Sequence, residues 1–560
     1  MQPAEQGVAA TVGRPPPRPE TIPAAAAQAA ARFGNEPALM DNGRVRSFRE
    51  LYREARAAAS AFLATGMRRG DVVAIWAPNR YEWVLAAIGA QMAGAVITPL
   101  NTRLKGREAG DILRRSRASM LFSAGLFLGT DYPALLTREP LPGLRARVVF
   151  DEPGPGGWAA FVAIGRGADD PAVDESIAAA RPEHLSDIIY TSGTTGSPKG
   201  VLSTHGSVVR LFAAWAETVG LRHGDRYLIV NPFFHTFGYK AGWVACLLVG
   251  ATMLPIPVFD VAQTSQLIES GRITFIPGPP TIFQSLLAEQ ALHPRDLSSL
   301  RVAVTGAATV APVLVERMKQ ELGIQTVVTG YGMTECGVIS MCREGESIER
   351  IATTCGRPIP GLEVKCIADS GRQVAVGEPG EILVRGYGIM SGYLDDPAAT
   401  AEAIDSEGWL HTGDVGVLDA AGYLRITDRK KDIYICGGFN CYPAEIEKLL
   451  CEHPAVEAAA VVGIPDDRLG EVGKAFIILR PGRQADAAAI IAWARENMAN
   501  YKVPRELEFR AELPRNAAGK VLRTALRDSQ APSRVMGDDL RQRGTQAPAA
   551  TCDHRTRGRV

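Results

Sequence analysis

Residues Ser186–Gly206, SDIIYTSGTTGSPKGVLSTHG, decide how the rest of this 560-residue chain is read. The apolar run Ile188, Ile189, Tyr190 predicts a buried strand. It empties into a stretch rich in Gly, Ser and Thr that ends in Lys199 and Gly200. Gly193, Gly196 and Gly200 let backbone N–H groups come close to an anion. Thr191, Ser192, Thr194, Thr195 and Ser197 add hydroxyl donors, and Lys199 adds a point charge. The guest that suits such a cradle is a polyphosphate. A Walker-type loop ends in Gly-Lys-Ser/Thr. Here Pro198 precedes the lysine and Gly200 follows it, so that template fails at both places. Taken in isolation, the run is equally compatible with a plain turn.

Length implies more than one domain. Lys plus Arg and Asp plus Glu both number 61, so the formal charge is zero and gives no nucleic-acid or membrane-surface footprint. The nine cysteines are odd in number and never spaced C-x-x-C. They read as reduced thiols of a cytoplasmic protein, without a zinc site or a disulfide framework. The N-terminus lacks a basic start followed by an apolar core, so no signal peptide is expected. Trp83 to Leu100 and Gly242 to Phe259 approach membrane-span length, but Gly, Gln, Thr and Pro interrupt them. A buried helix running into a strand is the reading, with no transmembrane segment.

Residues 1–20, rich in Pro, Ala and Gly, and 529–560, polar and Arg-rich, read as tails. From Thr21 the pattern alternates: helix through Ala31, helix Ser47 to Thr65, strand Val72 to Ala77, helix Tyr81 to Met92, strand Ala95 to Pro99. This is the grammar of a parallel sheet covered by helices. The span 153–185 reads as loop-rich and uninformative. Gly206 to Thr218 reads as a helix, followed by RYLIVNPFFHTFGYKAGW, an apolar strand running into an aromatic turn. Strands Val302 to Thr305 and Thr326 to Thr329 end in Gly306-Ala307-Ala308 and Gly330-Tyr331-Gly332-Met333-Thr334-Glu335. Two strands ending in small residues suit a binding crevice at the carboxyl ends of a sheet. A flat base could enter there, Tyr331 could stack on it, and Glu335 could offer a hard oxygen to magnesium. From Gly361, short strands with Gly-Pro turns suggest a small β subdomain. Residues from Asp432 to about Asp528 read as a compact α+β domain.

The order TSGTTGSPKG, PFFHTFG, YGMTE, GWLHTGD, DRKKD and NAAGK resembles the adenylate-forming superfamily, which holds acyl-CoA synthetases, aryl-CoA ligases, peptide-synthetase adenylation domains and luciferases. The resemblance covers roughly residues 20–528. It implies an α/β fold with a large N-terminal domain, residues 21–430, of helix-covered sheets and a small β subdomain. A mobile α+β domain, residues 431–528, would be hinged to it at Lys431. The phosphate loop Thr191–Gly196 with Lys199 would hold ATP, together with Gly306, Ala307, Ala308, Gly330, Tyr331 and Gly332. Asp414, assisted by Arg429, would hold the ribose. Thr334 would reach the α-phosphate, Glu335 would hold Mg2+, and Lys520 would be the mobile catalytic lysine. Phe234, His235, Tyr239, Lys240 and Gly306 would line the acyl pocket, with His235 at its mouth. Gly437 and Gly438 would flank the coenzyme A channel.

That set implies an ATP-dependent ligase for a small-molecule carboxylic acid. Carboxylate and α-phosphate repel, so the first step needs positioning and compensating charge and no side-chain nucleophile. Phe439 stands where many relatives carry Glu, and Asn516 where Thr is frequent; neither change removes an assigned charge. The aromatic pocket favours an aliphatic, aryl or alicyclic acid over an amino acid. Lys240 is the nearby charge, placed either to recognise a second substrate oxygen or to face solvent. NPFFHTFGYKAGW is similar to synthetases that activate propanoate side chains left after steroid ring cleavage. Rival readings are a non-catalytic nucleotide-binding scaffold and a luciferase-like oxidase.

Overall fold

A strand that is apolar on both faces needs cover on both faces. Val72–Trp76, VVAIW, is buried at all five positions in the computed structural model. The structure describes residues 18–104, 106–191, 198–306, 310–429, 434–436, 439–441, 443–466, 469–498, 500–516 and 519–528. Val72–Trp76 pairs in parallel with Val96–Pro99 and with Ala118–Ser123. The helix Tyr81–Met92, buried everywhere except at Glu82, connects the first two and packs on them. Val96–Pro99 pairs in turn with Leu185–Thr191. Among the described residues this sheet has seven strands.

Its other end changes direction. Leu185–Thr191 and Lys199–Thr204 form an antiparallel hairpin in which Thr191 faces Lys199. Lys199–Thr204 pairs on its far side with Gly392–Tyr393. The run 192–197 that joins Thr191 to Pro198 lies outside the described residues.

The second sheet has nine described strands. Its parallel part runs in the order Pro37–Asp41, Thr252–Pro255, Arg226–Ile229, Phe275–Gly278, Val302–Gly306, Thr326–Tyr331. Helices Val261–Gly271, Pro280–Leu292 and Pro312–Gln320 follow its strands in sequence. One continuous apolar core, from Ile22 to Leu424, packs both sheets and their helices. The small β unit expected from Gly361 is an antiparallel sheet of Leu362–Ile367, Gly380–Gly386, Leu410–Leu418 and Leu424–Arg429.

The last unit shows the period of two that a strand imposes. Val456–Asp466 pairs with Gly470–Leu479, and Glu506–Phe509 joins the latter in parallel. Val461, Ala475 and Ile477 point into a core with Ile446, Leu450, Ile490 and Ala494. The alternate residues Ala460, Val462 and Phe476 form a separate core with Leu513 and Leu526. The first face is covered by the helix Pro443–Cys451, which precedes the strands, and by Ala487–Asn497, which follows them; the second is covered by segments that follow, around Leu513 and Leu526.

Three features differ from the reading of the sequence. The span 153–185, uninformative in the sequence, holds the helices Trp158–Val162 and Pro171–Ala178. The second is capped by the Asp170 side chain, which accepts from Ala172 N–H, and has Pro171 in its first turn. Its signal was present, but only two turns long. The aromatic turn continues as a π-helix, Tyr239–Val244, a geometry that apolar periodicity does not announce. The helix read from Gly206 begins at His205, with Thr204 as its cap. Among the described residues no helix is long and apolar enough to cross a membrane.

Candidate active site

Parallel strands deliver their carboxyl ends to the same side. Val302–Gly306 and Thr326–Tyr331 are adjacent and in register, with Gly306 opposite Gly330. Glycine is required here first by the chain's own folding. A Cβ on Gly330 would lie 1.9 Å from Met341 Sδ, and one on Gly332 would lie 2.1 Å from the Gly337 carbonyl. Room for a flat guest is therefore not the sole reason for small residues. Ala307 and Ala308 lie outside the described residues.

Tyr331, 9% exposed, donates its hydroxyl to Asp414 Oδ2 at 2.5 Å. Residues 83 apart in sequence thus meet at the crevice. Asp414 is 6% exposed and sits on Leu410–Leu418, opposite Arg429 in the strand ladder. Its N–H donates to Thr412 Oγ1 at 3.1 Å, which fixes the carboxylate's own turn.

Thr334 and Glu335 follow Tyr331 and are half-buried. Glu335 Oε1 accepts from the Tyr393 hydroxyl at 2.9 Å, and its carbonyl accepts from Met390 N–H at 2.7 Å. Burial and the neighbouring carboxylate push the Tyr393 phenol up, so it stays protonated and a donor. The Tyr393 ring also carries Lys199 Nζ, 4.9 Å from its centroid. At the same hairpin, Arg115 donates to the Pro198 carbonyl at 2.7 Å. Neither Tyr393 nor Arg115 was picked out by sequence reasoning. Only packing brings these two residues to the hairpin.

His235 caps the short turn Thr236–Gly238, its Nδ1 accepting from Phe237 N–H at 3.3 Å. The ring is open to solvent, yet protein crowds round it at longer range. Loss of bulk water holds its imidazole below the ordinary histidine value. Phe234 is half-buried beside it. Tyr239 is 0% exposed: it stacks on Trp243, with centroids 5.0 Å apart, and its hydroxyl accepts from Gln91 at 2.9 Å.

Lys240 does not face solvent. It is 3% exposed, its Nζ lies 2.8 Å from Asp187 Oδ1, and it donates to Ser203 Oγ at 2.7 Å. Asp187, 0% exposed, also accepts from Ser186 Oγ at 2.7 Å. A charged residue immediately before the apolar run of SDIIYT was the available signal, because a carboxylate in a buried strand calls for a buried partner. A narrow cleft is lined by Lys240, Ser203, Thr334 and Glu335, with Val208 and Leu211 among its apolar residues.

Lys520 stands at the end of a tight turn. Arg515 pairs with Val521, Asn516 N–H donates to the Lys520 carbonyl at 2.8 Å, and Asn516 Oδ1 accepts from Lys520 N–H at 2.9 Å. Asn516 thus closes the turn with its side chain. The Lys520 amine is buried and has no hydrogen-bond partner among the described residues. Ser192 to Gly196, Lys431, Gly437 and Gly438 lie outside the described residues. Among the described residues no group of three His, Cys, Asp or Glu side chains could hold a metal ion.

Comparison with known proteins gives concordant matches. The family described as AMP-binding enzyme matches residues 26–394, and the AMP-binding enzyme C-terminal domain matches 445–520. A 3-[(3aS,4S,7aS)-7a-methyl-1,5-dioxo-octahydro-1H-inden-4-yl]propanoyl:CoA ligase of Mycobacterium tuberculosis is 51% identical over 510 residues, covering 91% of this chain and 98% of that one. A Rhodococcus jostii protein of the same name is 46% identical over 522 residues, covering 92% and 99%. Among solved structures, the anthranilate CoA ligase AuaEII in complex with anthranoyl-AMP superposes with a TM-score of 0.80 at 29% identity, covering 92% of this chain and 98% of that one.

Proposed function

This chain belongs to the AMP-binding enzyme family and is an ATP-dependent carboxylate–CoA ligase; from that premise we propose which residues do the chemistry and which acid it takes. The enzyme forms an acyl adenylate and then an acyl-CoA thioester. In the first half-reaction a carboxylate oxygen attacks the α-phosphorus of ATP and pyrophosphate leaves. In the second, the thiol sulfur of coenzyme A attacks the carbonyl carbon and AMP leaves.

The carrying observation is the juxtaposition at the two strand ends: Tyr331 held on Asp414, with Thr334 and Glu335 next in the chain. In our reading Asp414 accepts from the ribose hydroxyls with Tyr331 fixing its carboxylate, and Arg429 assists. The hairpin loop with Lys199 receives the β- and γ-phosphates. The Thr334 hydroxyl donates to the α-phosphate, where charge builds as the new P–O bond forms. Lys520 supplies an ammonium to the same place. Burying an amine without a partner is costly, so an amine that has none among the described residues suits a group reserved for an incoming anion. Glu335 fits a Mg2+ ion. Mg2+ takes one or two protein carboxylates and fills its other positions with water and substrate phosphates, so a single half-buried carboxylate suffices. When bound, the ion supplies charge neutralisation of the phosphates. The division near residue 430 is supported by cores that share no residue on its two sides.

For the acid, the proposal is a bicyclic propanoate bearing ring ketones, of the class in the names of the two relatives. Val208, Leu211 and Phe212, among the residues that line the cleft, offer the apolar contact that an alicyclic ring system needs. Lys240 has three amine protons; it donates one to Ser203 Oγ and forms an ion pair with Asp187. A further proton would serve a ketone oxygen.

The test is CoA consumption with ATP and Mg2+ for octanoate, cinnamate, benzoate and the dioxo-hydrindane propanoate. The bicyclic acid should exceed the others in kcat/KM by about 10² or more, as expected where a buried donor matches a substrate oxygen. If octanoate and cinnamate both outperform it, the substrate reading is wrong.

A further inference from the structure

The strap Met390–Leu394 is stitched to two elements of the nucleotide side at once. Met390 N–H donates to the Glu335 carbonyl at 2.7 Å, Ser391 N–H to the Leu202 carbonyl at 2.9 Å, and Leu394 N–H to the Gly200 carbonyl at 2.8 Å. The backbone thereby fastens the acidic turn to the strand that begins at Lys199. Tyr393, within the strap, repeats the connection with its side chain. Its hydroxyl donates to Glu335 Oε1 at 2.9 Å, and Lys199 Nζ sits 4.9 Å from its ring centroid. The residue itself is held firmly, because its N–H donates to Thr400 Oγ1 at 2.9 Å. Gly392 before it, at φ 144°, runs so close to Thr400 that a Cβ would lie 2.9 Å from Thr400 Cγ2.

A lysine and a glutamate that must address the same triphosphate have an unwanted alternative, which is to attract each other. A tyrosine offers each a different surface. Its hydroxyl satisfies the anion and its ring face satisfies the cation, and the rigid ring sets their spacing. We propose that Tyr393 is a positioning residue for adenylation, holding the Glu335 carboxylate and the Lys199 ammonium at a fixed separation on the polyphosphate side of the site. This rests on the nucleotide reading above and adds a residue to it.

The test is calorimetric binding of ATP and AMP to the full-length enzyme and to Tyr393→Phe and Tyr393→Leu, with and without Mg2+. Tyr393→Phe keeps the ring and loses the hydroxyl. It should raise the Mg2+ concentration that half-saturates tight ATP binding by about tenfold, the scale of one hydrogen bond to a charged group. Affinities for AMP, and for ATP without Mg2+, should stay within about twofold of wild type, since neither depends on that bond. Tyr393→Leu should in addition weaken Mg2+-free ATP binding by about three- to fivefold, the scale of a lost cation–π contact, and spare AMP, which lacks the β- and γ-phosphates. Unchanged Mg2+ dependence in both variants would overturn the proposal. So would equal loss of ATP and AMP binding, because a merely structural defect does not discriminate between them. Failure of the wild-type enzyme to bind either nucleotide would instead overturn the reading beneath it.

Discussion

At the scale of single residues, the amine of Lys520 has the least conventional environment among the proposed catalytic groups. A lysine side chain normally keeps its charged head in water; this one is buried without a hydrogen-bond partner among the described residues. If it serves the anion that forms during adenylation, Lys520→Ala should lower acid-dependent pyrophosphate exchange by about 10² to 10³, the usual loss for one electrostatic donor. Thioester formation from preformed acyl adenylate should stay within about tenfold of wild type, because that step does not need the same charge. Equal loss in the two assays would remove the lysine from its proposed role. The thermal midpoint is not expected to fall, since the substitution removes an amine that has no hydrogen-bond partner among the described residues.

At the scale of elements, the helix His205–Thr218 packs beside the hairpin and contributes Ser207, Val208 and Leu211 to the cleft wall. It starts on a histidine that is 3% exposed, and burial lowers that imidazole to about 3, with His184 and Arg69 adding like-charge repulsion. A cation in the first turn of a helix is also opposed by the helix dipole. The folded-state value lies below the unfolded one, so between them the unfolded chain binds more protons. Stability from this site is complete above about pH 6.5 and is lost as pH falls toward about 3, with a slope of at most about 1.4 kcal/mol per pH unit. Calorimetric midpoints at pH 7, 5 and 4 should fall less steeply for His205→Gln than for wild type. Parallel slopes would mean that His205 does not carry the acid sensitivity. The π-turn Tyr239–Val244 belongs to the same scale: it carries Lys240, whose amine meets the Asp187–Ser203 pair across the interior.

At the scale of the whole molecule, one core runs from Ile22 to Leu424 and others begin at Tyr434 and Ala460. Two-step chemistry at one carbonyl carbon gives this division a purpose, because the group that helps expel pyrophosphate would obstruct the thiol. Lys431, at the junction, is the proposed pivot. Proline there removes an N–H and fixes φ. Lys431→Pro should leave acid-dependent pyrophosphate exchange within about twofold of wild type, whereas conversion of acyl adenylate to thioester should fall by about tenfold or more, the pattern of a blocked conformational step. Equal losses in the two half-reactions would argue against a hinge at this position.

Local chemistry was enough to point to most of the elements and to the residues proposed for the site. Apolar runs such as VVAIW, the glycine-flanked strand ends before Ala307 and Met333, and the order of the motifs are each contained within a few consecutive residues, so periodicity and turn chemistry expose them. Only the tertiary structure decided what depends on distant segments meeting. It put Tyr331 on Asp414, took Lys240 out of solvent and gave it to Asp187, and placed Tyr393 between Lys199 and Glu335. A side chain's partner is set by the packing of elements far apart in the chain, and the residue types near it in sequence do not encode that packing one position at a time.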